Sequence, residues 1–107
     1  MPTVTRHASR RTRERLGIPK KAVDANAEKA MRYGVHRWEV HNGLRRYLDY
    51  LFHQSNDTAD IILYHRNVYI FQNAKLITVM NLPKKYNDRA DKVERKRRGD
   101  MEEVSNA

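Results

Sequence analysis

The sequence predicts an α+β fold, with N-terminal helices packed on one face of a small antiparallel β-meander and a basic C-terminal tail. Three observations carry that reading. Leu44, Tyr47, Leu48, Leu51 and Phe52 recur at the i, i+3, i+4, i+7, i+8 spacing of an amphipathic helix. After the polar break at 54–58 the period becomes that of strands, in three short β-rich runs: Ile61 to His65, Val68 to Phe71 and Leu76 to Met80. The chain has 107 residues, 39% hydrophobic and 33% charged, against the roughly 25% charged of ordinary domains, so it supports one domain with a small core.

Taken in order, Arg6 to Leu16 reads as a short helix that Thr3 or Thr5 can cap and Gly17 can end. Pro19 suits the first position of a second helix running to about Tyr33, with Ala22, Val23, Ala27, Ala30 and Met31 on one face and Gly34 as its stop. The third helix begins after Asn42-Gly43 and carries the stripe named above. Trp38 falls in the loop-like segment before it, where packing over the core edge and ligand contact are equally open readings.

In the meander, Arg66-Asn67 as a two-residue hairpin loop sets Tyr64 opposite Tyr69, and Asn73-Ala74 as another sets Tyr69 opposite Thr78. One face then holds Ile61, Leu63, His65, Val68, Ile70, Ile77 and Val79 and is expected under the helices. On the other, Tyr64, Tyr69 and Thr78 lie side by side and are expected to contact something polar. Pro83 stops the last strand, so residues 1–83 are the expected domain. Residues 84–107 carry the basic run Arg95 to Arg98 and then Asp100, Glu102 and Glu103, the pattern of a charged, partly helical or disordered tail.

The net charge of +9 raises the local concentration of polyanions, which puts nucleic acid first among partners, RNA before DNA. Its distribution is uneven. Arg6, Arg10, Arg11, Arg13, Arg15, Lys20 and Lys21 face only Glu14 and Asp24 within the first 24 residues, a surplus of five. There is no Cys, the glycines are isolated and the five histidines show no metal-ligand spacing, so neither a metal nor a cofactor is expected. With no apolar run longer than four residues, the expectation is a cytoplasmic protein without a membrane segment.

His7, Arg10, Arg11, Glu14 and Arg15 stand at helical spacings, and an imidazole beside guanidinium groups suits phosphodiester chemistry. The imidazole can move protons near neutral pH while arginine binds phosphate oxygens. The plainer reading is a solvated basic helix in which Glu14 pairs with Arg10 or Arg11.

The opening Thr5-Arg6-His7-Ala8-x-x-Arg11-x-x-Glu14-Arg15-x-Gly17-Ile18 and the strand Leu76-Ile77-Thr78-Val79 resemble the barnase/EndoU/colicin/RelE (BECR) group of small ribonucleases and toxins, and most of all RelE-like domains. The resemblance implies a metal-independent endoribonuclease of toxin-like type, cleaving RNA through attack by the 2′-OH. Carried over by position, it makes His7 the acid-base group, Arg11 and Arg15 phosphate clamps, and Thr78 the polar residue of the last strand; the strand register, independently, sets Tyr69 beside Thr78 and adds it to the expected catalytic group. Arg6, Arg10, Arg13, Tyr64, Arg97 and Arg98 complete the expected nucleic-acid contacts. Charge and resemblance together imply an acidic antitoxin or inhibitor protein as a partner. The rival expectations are a non-catalytic RNA- or DNA-binding accessory protein and a protein-interaction module regulating a neighbouring enzyme.

Overall fold

The computed structural model describes the backbone of residues 3–106 and, within that span, the side chains of all but 3, 7, 8, 11, 12, 16, 20 and 100–106. The protein is α+β, as the change of period predicts. Three strands form the meander: β3 (Asp60–Tyr64), β4 (Asn67–Gln72) and β5 (Lys75–Asn81). Two strands of two residues each, too short to show a period, extend it. β1 (Thr3–Val4) pairs parallel to β5 and β2 (Val35–His36) antiparallel to β3, giving the order β1-β5-β4-β3-β2.

Helices α1 (Arg6–Leu16), α2 (Lys20–Tyr33) and α3 (Asn42–Gln54) fall where apolar spacing and stop signals put them. Gly17 ends α1 in the left-handed region at φ +64°, its N–H donating to the Arg13 carbonyl at 2.9 Å. Gly34 ends α2 for a different reason. A Cβ there would lie 2.2 Å from Ile62 Cγ2 and 2.4 Å from the Ala30 carbonyl oxygen, so only glycine lets the chain leave α2 this close to β3.

The register corrects two expectations. The first hairpin turns on His65-Arg66, with Leu63 opposite Val68 and Tyr64 opposite Asn67, rather than on Arg66-Asn67. Both turn residues are left-handed, at φ 48° and 63°, although neither is Gly or Asn. Tertiary bonds hold them there: the His65 N–H donates to Glu94 at 2.8 Å, the Arg66 carbonyl accepts from Leu82 N–H at 3.0 Å, and the Arg66 guanidinium grips Asp91.

The second correction is larger. Phe71 faces Leu76 as expected, but Ile70 then faces Thr78 and Tyr69 faces Val79, so Ile77 is an extra residue in a β-bulge. Beyond it every side chain of β5 changes face. The bulge places Val79 in the core with no exposure and leaves Thr78 half-buried. Full burial of a valine is worth about 1.5–3 kcal/mol, whereas a hydroxyl buried without a partner costs about 1–3, so both terms favour the bulge.

Helices cover both faces of the sheet. The face bearing Ile62, Tyr69, Phe71, Leu76 and Val79 packs on Ala27 and Ala30 of α2, so the face expected to be open is a core interface. The opposite face, with Ile61, Leu63 and Val68, packs on Leu44, Leu48 and Leu51 of α3. Ala90 and Val93 of α4 (Asn87–Asn106) join that second core, with Ala90 completely buried. The segment after Pro83 is therefore docked along its first turns. Its apolar content is low because charged groups do much of the docking.

Candidate nucleic-acid interface

The catalytic group expected from sequence is described only in part. The side chains of His7 and Arg11 lie outside the described residues; the backbone of α1 packs along β5. Arg6, Arg10, Arg13 and Arg15 are exposed on α1, with Arg10 3.5 Å from Glu14. Tyr69 is only 2% exposed, and burial pushes its phenol up to about 12. Tyr64 does meet Tyr69 edge-on, with ring centroids 6.2 Å apart. Thr78 faces Ile70 on the other side of the sheet, so the expected row of three hydroxyls does not form.

A different constellation forms where α4 crosses the β3–β4 turn. Asp91, Glu94, Arg95 and Arg98 repeat at i, i+3, i+4 and i+7 and so share one face of α4. With His65 and Arg66 from the turn they line an open groove of about 260 Å³. That is below the roughly 300 Å³ at which ordinary ligand pockets begin, a size for a phosphate group and part of its ester.

The charges in the groove are unequally engaged. Arg66 binds Asp91 through both carboxylate oxygens, at 3.1 and 2.6 Å, and this pairing holds the Asp91 carboxyl below its ordinary value. Glu94 accepts the His65 N–H, yet burial outweighs that bond and the nearby Arg98, raising its carboxyl above its ordinary value. Among the described residues, no carboxylate lies within ion-pair distance of Arg95 or Arg98. Both act on Asp91, and Arg98 on Glu94, through space without an ion pair among the described residues, so their guanidinium groups can receive an anion.

Tyr64 adjoins the groove, its ring 4.1 Å from that of His65; burial, then the Glu94 charge, raises its phenol. Of the residues expected to touch nucleic acid, the groove brings together Tyr64 and Arg98. Arg97 faces elsewhere: it binds Glu39 and is largely buried, so it is a structural tie rather than a surface contact. His65, Arg66, Asp91 and Glu94 were missed by sequence reasoning, and Arg95 was read only as part of the basic run Arg95 to Arg98. The 91-94-95-98 spacing was the available signal, but nothing in the sequence joins that face to a turn 25 residues away.

Among the described residues, no helix is long and apolar enough to cross a membrane, and no cluster of three or more His, Cys, Asp or Glu could hold a metal ion. No protein-family model, no curated protein and no solved structure matches the chain.

Proposed function

We propose that the protein binds single-stranded RNA through this groove and cleaves it as a metal-independent endoribonuclease. The observation that carries the reading is one groove holding an imidazole, a half-buried carboxyl with a raised pKa and two guanidinium groups that form no ion pair with a described carboxylate. Arg95 and Arg98 bind the scissile phosphate and steady the charge that builds on its oxygens. Glu94, whose pKa is shifted toward neutrality, takes the proton of the ribose 2′-OH as that oxygen bonds to phosphorus. The His65 imidazole gives a proton to the departing 5′ oxygen, leaving a 2′,3′-cyclic phosphate and a 5′-hydroxyl.

The test is incubation of the purified protein with mixed RNA in excess chelator. Cleavage that leaves cyclic phosphate ends, is lost in His65→Ala and Glu94→Gln, and persists in His7→Ala supports the groove. Loss in His7→Ala alone moves the chemistry to α1, and intact RNA at high protein concentration removes it altogether.

A second reading, a non-catalytic RNA-binding protein, is supported by the separation of Tyr69 from Thr78, which the expected strand register had set side by side. It predicts salt-dependent binding and no product.

A further inference from the structure

Trp38 is the one tryptophan of the chain, and it is 58% exposed. A lone exposed aromatic is ordinary on a protein surface; what sets this one apart is how it is held. It sits in the middle of a 3-10 turn, Arg37–Glu39, whose two outer residues are both fastened to the body. Arg37 bonds Asp49 of α3 at 3.0 Å and lies over the Phe52 ring, 3.7 Å from its centroid. Glu39 accepts the His36 N–H at 2.7 Å through one oxygen and Arg97 of α4 through the other. The residue between them is held out toward solvent.

The indole is also already stacked once. The His36 ring lies parallel to it, with centroids 4.4 Å apart and 11° between planes. Burial lowers the His36 pKa, so a neutral imidazole backs the indole at neutral pH. An indole backed on one side and fixed by a braced turn loses little freedom when a second flat ring arrives.

The geometry points to Trp38 as a stacking platform for one unpaired nucleobase of the strand whose phosphates occupy the groove, and this rests on the RNA reading above. α4 links the two places. Glu94 holds the groove's turn and Arg97 holds the turn that carries Trp38, three residues and about 4.5 Å of helix rise apart. A strand of a few nucleotides is expected to run from the groove to the platform. Stacking tolerates any base but requires that it be unpaired, so the platform selects single strands over duplexes.

Because the chain has a single tryptophan, its fluorescence reports on this position alone. The probe is a short single-stranded RNA, 2′-O-methylated throughout so that no 2′-OH can attack, followed by anisotropy of a labelled strand and by tryptophan emission. The expected result is quenching that saturates together with the anisotropy. A strand of the same length with abasic sugars binds without quenching. Trp38→Ala, its fold checked by circular dichroism, binds about tenfold more weakly, and Trp38→Phe recovers much of the loss. Strand binding with unchanged emission, and with full affinity in Trp38→Ala, overturns the platform and leaves the groove standing. Absence of binding by any strand at physiological salt overturns both.

Discussion

The two arginine-rich helices, α1 and α4, behave in opposite ways. α1 lies in the segment that supplies five of the nine surplus charges, and its described arginines are exposed. Its one described ion pair, Arg10 with Glu14, is local and solvated on both sides. α4 belongs to a segment with a surplus of only two, yet Asp91, Glu94 and Arg97 each reach a distant part of the chain. Charge density marks where polyanions are drawn. Alternation of sign at helical spacing marks where charges become structure, and cations left over from that pairing are held in place at a site.

That contrast can be broken by experiment, and the largest effect belongs to the docked helix. Ala90→Arg forces a cation into a fully buried position and should lower unfolding free energy by about 3 kcal/mol or more, whereas Arg13→Ala on α1 should change it by less than about 0.5. Urea unfolding of the two variants separates them; equal effects would mean that α4 is not docked.

Binding gives the next effect. If the α4 cations contact phosphate, Arg95→Ala and Arg98→Ala should each lower the salt slope of RNA binding by about one, with Arg13→Ala and Arg15→Ala leaving it unchanged. A drop confined to the α1 variants would move the interface to the N-terminus.

Acidity sharpens the comparison further. The folded pKa of Glu94 is raised above the ordinary glutamate value of 4.5, so folding favours its protonated form. Stability tied to Glu94 is present in full below pH 4.5 and is lost as pH rises through the raised value. Glu94→Gln keeps an acceptor for the His65 N–H without the charge, so its advantage in Tm over the native protein should be small in acid and grow toward neutral pH. A difference that does not vary with pH would show that the carboxyl is ionised in the fold as freely as in the open chain. The smallest effect is Glu14→Ala, expected within about 0.5 kcal/mol of the native protein because an exposed i, i+4 pair contributes little.

The candidate site was legible only in fragments. Tyr64 and Arg98 could be singled out by residue type, because tyrosine on a strand and arginine in a basic run already suggest nucleic acid. His65 stood as a residue at a strand end, and Glu94 as one more charge in a charged segment. Their meeting depends on a hydrogen bond across 29 residues, which no local pattern contains. Thr78 shows the reverse error: local alternation placed it beside Tyr69, and one inserted residue, Ile77, carried it to the other face.

By itself the sequence determined the α+β class, three helices and the three-stranded meander, because spacing of apolar residues and the placement of Gly and Pro act over a few residues. The tertiary structure alone decided the bulge, the second covered face, the left-handed His65-Arg66 turn and the docking of α4. Each of these balances burial of one side chain against another, or pairs groups far apart in the chain. Those energies exist only once both partners are in place.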